Sequence, residues 1–397
     1  MSRLSRRNFL TRSLAMGCSL AASPLVTPVT LASTPGDARL VVIILRGAMD
    51  GIGAVPPLGD PAHAALRPEV DALDLGGFYG MHPALGPLKP LWDKGELAFA
   101  HAVSTPYQGQ RSHFDGQDML EAGTGMDAMG RLRDGWLNRL LRQIPGAEAG
   151  TAYAVGRGDM LLLQGAAPVS NWSPDAALIL SPQAERLLEG ILHDDPLFRD
   201  AALEALMLSR GEDAGGMEAP STADMMSASA LPAARPDAIA AFAAERLREE
   251  ARIAAFSLTG FDTHASQHRS LPRALDRLAS AITTLQTGLG PAWQKTAVVA
   301  ITEFGRTVRL NGSGGTDHGT AGAMIMAGGA LRGGQVVADW PGLAEADLFE
   351  RRDLRPTRDL RAHLAWIIRH LYGTEIAALE RDIFPGLDMG ADARLIL

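Results

Sequence analysis

The run Leu40-Val41-Val42-Ile43-Ile44-Leu45 contains no polar residue. A strand with one face in water alternates apolar with polar, so an unbroken apolar run must be covered on both faces. Residues 296–302 carry the same signature, and shorter apolar runs suitable for strands lie at 97–103, 161–164, 178–180, 253–258 and 323–327. Helical patterns separate them, at 82–95, 114–122, 136–143, 183–192, 197–208, 238–252, 271–287 and 360–371. Strands that alternate with helices in this way predict an α/β fold with a mostly parallel central sheet. The 46% apolar content supplies a sizeable core. Residues 211–236 break the pattern: they are rich in Gly, Ala, Ser, Met and Pro, which predicts a flexible insertion or lid connector. No internal repeat is visible.

The first residues read as an address. Ser5-Arg6-Arg7-Asn8-Phe9-Leu10 places paired arginines ahead of an apolar stretch from Ser13 to Val29 that holds no acid and no base, and Thr30-Leu31-Ala32 offers a small-x-small cleavage site. That layout predicts a twin-arginine (Tat) signal peptide over residues 1–32, with the Tat translocase as export partner and a periplasmic or exported mature domain over 33–397. An arginine-flanked membrane anchor is the alternative, but a full span takes about 20 apolar residues. Cys18, the only cysteine, falls inside the signal in a poor lipobox. A mature chain without thiols makes no disulfide and no thiolate metal site, which leaves His, Asp, Glu or backbone oxygen as ligands. With Arg3, Arg6, Arg7 and Arg12 removed, 33 basic residues face 45 acidic ones, a net of −12. That balance, with no basic run, argues against nucleic acid as a partner. No second long apolar span is present, so no membrane span is expected after cleavage.

Ligands in open α/β sheets bind beyond the carboxyl ends of the strands. The residues directly after each strand are chemically biased here. Arg46-Gly47-Ala48-Met49-Asp50-Gly51 comes after the first strand, and Gly260-Phe261-Asp262-Thr263-His264, with Gln267-His268 close behind, comes after the run ending at Leu258. Glu303-Phe304-Gly305-Arg306 comes after the run ending at Thr302, and a glycine-rich loop leads on to Thr316-Asp317-His318-Gly319. Arg111-Ser112-His113 stands at an expected helix start. Gathered at one edge, Asp50, Asp262, Glu303 and Asp317 would repel one another, and a divalent cation shared with His113, His264 and His318 would resolve the conflict. Mixed His and carboxylate ligands suit zinc, manganese or iron, and with more oxygens calcium or magnesium. Taken singly, each of these residues also reads as a helix cap or turn former. Ser112 has two readings as well: a plain N-cap, or a metal-activated nucleophile attacking a phosphate or sulfate ester whose anion Arg111 or Arg306 would hold in a fork.

Five ordered motifs, Leu-Arg-Gly-Ala-Met-Asp-Gly at 45–51, Arg-Ser-His-Phe-Asp-Gly-Gln-Asp at 111–118, Phe-Asp-Thr-His at 261–264, Thr-Glu-Phe-Gly-Arg-Thr at 302–307 and Gly-Gly-Thr-Asp-His-Gly at 314–319, resemble the Tat-exported family called domain of unknown function 1501. That family is similar to the alkaline phosphatase and sulfatase superfamily. The resemblance implies a three-layer α/β/α sandwich, alkaline phosphatase-like, with a metal centre. It matches Asp50 to the metal aspartate after the first strand, Ser112 to the nucleophile, Asp262 and His264 to a mid-chain pair, and His318 to a late histidine. Glu303 occupies the place of the aspartate in an Asp-His pair, but Phe304 stands where the histidine would be. That departure points toward a one-metal or altered site. The expectation is a metal-dependent hydrolase of phosphate or sulfate esters. The alternative is a non-catalytic envelope binding or assembly protein on the same fold, acting with an exported protein partner.

Overall fold

In the computed structural model the described residues are 36–67, 71–128, 130–156, 160–173 and 236–397. The expected signal at 1–32, the strand at 178–180, the helices at 183–192 and 197–208, and all but the last residue of the 211–236 insertion lie outside them.

The strands, in chain order, are β1 (Arg39–Leu45), β2 (Leu73–Asp74), β3 (Gly80–Met81), β4 (Leu97–Ser104), β5 (Ala152–Val155), β6 (Ser170–Trp172), β7 (Ile253–Leu258), β8 (Thr296–Ile301), β9 (Gly322–Ala327), β10 (Gln335–Val337) and β11 (Arg358–Asp359). The principal helices are α1 (His113–Ala122), α2 (Trp136–Leu141), α3 (Pro236–Arg248), α4 (Gln267–Leu289) and α5 (Leu360–Tyr372). The central sheet runs β10-β4-β9-β8-β1-β7-β5-β6, with β11 also beside β4. Every neighbouring pair is parallel except those of β9, which opposes both β4 and β8. β9 differs because no helix carries the chain back: residues 302–321 form a broad loop that returns beside β8 from the same edge.

The apolar run in β1 is divided between two cores. Val41, Ile43 and Leu45 pack on one face with apolar residues of α3 and α4, while Leu40, Val42 and Ile44 pack on the other with α2 and α5. That is the three-layer arrangement. Burying each such Ile or Leu side chain stabilises the fold by roughly 1.5–3 kcal/mol, so β1 is a principal anchor of the molecule. In α4, Leu271, Leu275, Leu278, Ile282, Leu285 and Leu289 recur at helical spacing and are buried. That helix starts at Gln267, ahead of the expected 271, and runs through Pro272.

Two expected elements differ. Residues 82–95 are not one helix but a 3-10 turn (Pro83–Leu88) followed by a short helix (Lys89–Asp93), because Pro87 and Pro90 withhold the amides a continuous helix needs. The apolar residues 161–164 form a 3-10 turn rather than a strand (Leu161–Leu163) and bury Leu162 and Leu163 in the core shared with α2. The short edge strands β6, β10 and β11 were not legible as strands.

Candidate functional site

β1, β7 and β8 are adjacent and parallel, so the segments leaving their carboxyl ends meet in the middle of the sheet. α1 delivers His113 to the same place, where the His113 ring stacks on buried Phe304 at 5.1 Å between centroids.

Three imidazoles converge there, each anchored through Nδ1. His113 Nδ1 lies 2.8 Å from Glu303 Oε1, His318 Nδ1 2.8 Å from the Arg111 carbonyl, and His264 Nδ1 3.3 Å from Asp317 Oδ1. The opposite nitrogens face a single oxygen. Asp262 Oδ1 lies 3.5 Å from His113 Nε2, 3.4 Å from His318 Nε2 and 3.0 Å from His264 Nε2. The Nε2 atoms of His264 and His318 are 2.9 Å apart. His113 Nε2 is buried and has no hydrogen-bond partner among the described residues. With each Nδ1–H donating to its oxygen, the neutral rings turn three lone pairs toward one anionic oxygen. Arg306 Nη1 already donates to that oxygen at 2.8 Å, and protons on the rings or a bound cation would relieve the remaining repulsion. His113, Asp262 and His318 each bring one ligand atom within 4.8 Å of the others. A ring fixed at Nδ1 by a carboxylate or carbonyl, with Nε2 free, is the usual state of a metal-binding histidine.

The electrostatics follow the contacts. The hydrogen bond to Glu303 raises His113 above the ordinary histidine pKa against the effect of burial. Burial lowers that of His318. Burial opposes ionisation of Asp262, but the Arg306 guanidinium, 2.8 Å away, outweighs it and holds the carboxyl below the usual range. Glu303 is fully buried, yet hydrogen bonds from His113, Gln117 and the Gly47 amide keep it ionised in spite of that burial. The Asn311 amide lowers Asp317.

Of the residues expected here, the structure brings together Asp262, His113, His264 and His318. It moves Glu303 and Asp317 outward, to hold His113 and His264 rather than to face the centre. Asp50 is not in the cluster. Its buried carboxylate is taken by Arg67 (2.6 and 3.1 Å) and by Gln267 Nε2 (2.6 Å). Burial opposes its ionisation, but the Arg67 charge overrides this and lowers its pKa. Ser112 is the N-cap of α1, its hydroxyl accepting from the Asp115 amide at 3.4 Å, and among the described residues no hydrogen bond joins that hydroxyl to the histidines. The Arg111 guanidinium turns to Glu350 (3.4 Å) and Asp353 (3.8 Å), and only its carbonyl serves the cluster. Arg306 is buried and spent on Asp262 and Thr316, so it offers no free fork to an anion.

Sequence reasoning missed Arg67 and the role of Gln267. Gln267 Oε1 accepts from the hydroxyls of Thr263 (2.8 Å) and Thr316 (2.6 Å), and Thr316 in turn accepts from Arg306 Nε (3.1 Å). A buried hydrogen-bonded chain therefore runs from Asp50 to Asp262. Gln267 stands beside His268 in the segment after β7, where its place near the site was a signal, but Arg67 carried no local signal.

The fold and the cluster together define a three-layer α/β protein with a histidine–carboxylate site at the carboxyl edge of its central strands. The model of the family described as "Protein of unknown function (DUF1501)" matches residues 93–366, and the chain belongs to that family. A comparison with curated proteins finds no match. Among solved structures, the chain is similar to a protein in the alkaline phosphatase superfamily from Vibrio parahaemolyticus, at 11% identity and TM-score 0.39 over 88% of this chain and 70% of that one. It is also similar to a 2-O GAG sulfatase, at 11% identity and TM-score 0.38 over 85% and 71%. A third is the C-terminal periplasmic domain of EcEptC from Escherichia coli, at 10% identity and TM-score 0.36 over 92% and 94%. Likeness at this level carries no substrate over to this chain.

Proposed function

We propose that this chain is an exported hydrolase of phosphate or sulfate esters whose metal is held by His113, His264, His318 and Asp262. One observation carries the reading: three imidazole Nε2 atoms, each ring fixed from behind at Nδ1, converge on one carboxylate oxygen, and the buried one has no partner. The donor set fits a borderline cation. Calcium and magnesium take oxygen ligands, whereas three imidazoles and a carboxylate suit zinc first, then manganese or iron. The chemistry such an ion would supply there is polarisation of an ester oxygen and a lowered pKa for a bound water. The chain's own residues supply the rest. Glu303 and Asp317 orient His113 and His264, Arg306 fixes Asp262, and Phe304 closes one wall against water. With Ser112 occupied as a helix cap, water is the better candidate for the nucleophile. Export rests on the paired arginines of residues 6 and 7, and among the described residues no helix is long and apolar enough to cross a membrane.

A specific observation favours the second reading, a metal-stabilised envelope protein without turnover. Both Arg111 and Arg306 are committed to ion pairs, so neither is free to bind an anionic ester. Elemental analysis of protein purified from the periplasm without chelators, followed by a screen of 4-nitrophenyl phosphate and sulfate esters, separates the outcomes. Bound metal with turnover, both lost in His264→Ala and both kept in Ser112→Ala, is expected. Metal without turnover on any ester supports the second reading. A folded protein that neither holds nor takes up metal refutes both.

A further inference from the structure

The edge of the sheet farthest from β6 is split. β10 pairs with residues 98–100 of β4 and β11 with residues 103 and 104, and between them Thr357 reaches the strand, its amide (2.9 Å) and hydroxyl (3.3 Å) both donating to the Ala102 carbonyl. Ala102 has a φ of +55° there, and the β4 register against β9 shifts at the same point. A cavity of about 460 Å³ occupies the notch, with Arg358, His363, Asp339 and Asp388 in its lining. It is separated from the histidine cluster by β9 and β8.

Two nitrogens of lining residues, Arg358 Nε and His363 Nδ1, are buried and have no hydrogen-bond partner among the described residues. The His363 side chain is 1% exposed. An unpaired buried polar group costs about 1–3 kcal/mol, and with His363 in its Nδ1–H tautomer two such donors at one cavity call for a group that completes them. Arg358 makes no ion pair among the described residues, and its Nη2 is held by the carbonyls of Met389 and Ala391. The Asp392 carboxylate acts on this guanidinium through space but makes no ion pair with it. The exposed Asp339 and Asp388 stand at the rim and would repel a bare anion. An anion that brings its own positive charge meets no such barrier.

We propose that this notch binds a small zwitterion, its carboxylate accepting from Arg358 Nε and His363 Nδ1 and its ammonium facing Asp339 and Asp388. Amino acids and ω-amino acids are the class of ligand with this chemistry. The site is independent of the histidine cluster, so failure of either reading leaves the other standing. Isothermal titration calorimetry of the mature protein with glycine, β-alanine, 4-aminobutyrate and 6-aminohexanoate tests it, with acetate and butylamine as single-charge controls. The expected result is one-to-one binding of at least one zwitterion, roughly tenfold tighter than either control, because each charged contact contributes about one decade. That affinity should fall about tenfold in Arg358→Met and in Asp339→Asn. Asp339 is exposed, so its substitution leaves the fold intact even if Arg358→Met does not. No heat with any zwitterion, equal affinity for acetate or butylamine, or unchanged binding in Asp339→Asn would each overturn the proposal. Ordered water would then be the group that completes the two nitrogens.

Discussion

The Asp50–Arg67 pair offers the sharpest test of how this site is built. Both side chains are nearly inaccessible, at 1% and 5% exposure, and they meet in a two-pronged contact of 2.6 and 3.1 Å. Arg67 also donates to the carbonyls of Thr307 (2.8 Å) and Val308 (2.5 Å), within the loop that carries Asp317 and His318. Arg67→Met removes the countercharge and leaves a buried carboxylate with only neutral donors. Breaking a buried pair on one side costs about 3–5 kcal/mol, against a total stability of about 5–15 kcal/mol for a typical domain. The double variant Asp50→Asn with Arg67→Met removes the orphaned charge and should recover more than half of that loss. Urea unfolding followed by circular dichroism reads all three proteins. Metal content is the second readout. Because Asp50 faces Arg67 and not the histidines, Asp50→Asn should keep the full metal complement while losing stability. Arg67→Met unfolding within about 1 kcal/mol of the parent, well below the cost of a broken buried pair, would refute the structural role given to the contact. Folded Asp50→Asn emerging without metal would refute its separation from the cluster and return Asp50 to the ligand set.

Three further outcomes are expected. Glu303→Gln loosens the support of His113 and should weaken metal affinity about 10–100-fold in a chelator competition while leaving the fold near its parent melting temperature; unchanged affinity would make Glu303 merely structural. His101 is neutral in its buried setting, its Nδ1 accepting from the Ala102 amide and its Nε2 facing the Val55 carbonyl, and burial lowers its pKa to about 4. Since the unfolded histidine titrates near 6.5, the unfolded chain binds the extra proton first, and stability is present above about pH 6.5 and lost below it, by about 1.4 kcal/mol per pH unit. His101→Gln should flatten that slope between about pH 5 and 6.5, and an identical slope in the variant would contradict it. Gly305→Ala would drive a methyl into the Ala321 carbonyl, displacing the loop that carries Arg306; loss of metal binding with a lowered melting temperature is expected, and a normal metal complement would show that the loop can give way.

Much of the architecture was legible because its cause is local. The uninterrupted apolar run of β1 can only be buried on both faces, so a covered, mostly parallel sheet followed from residues 40–45 and 296–302. The site was partly legible for the same reason. Asp262 and His264, close behind strand 253–258, and Glu303, directly after 296–302, emerge at one edge whatever the rest of the chain does, whereas His113 and His318 join them from a helix start and a long loop. Proline spacing also carried information that the pattern of residues 82–95 hid, since Pro87 and Pro90 break a helix that hydrophobic periodicity alone suggests.

The sequence by itself therefore determined the layered fold, the edge where acids and histidines gather and the residue types available there. Only the tertiary structure decided which of those residues face one another. Asp50 and Asp262 look alike as acids after buried strands, yet one is neutralised by Arg67 and the other is ringed by imidazoles. Glu303 sits beside the centre but behind His113, a difference set by which oxygen the ring reaches. The physical reason is that burial and helical period depend on neighbours within a few residues, whereas a buried charge takes whichever partner the packed loops bring within about 3 Å, however far apart in the chain.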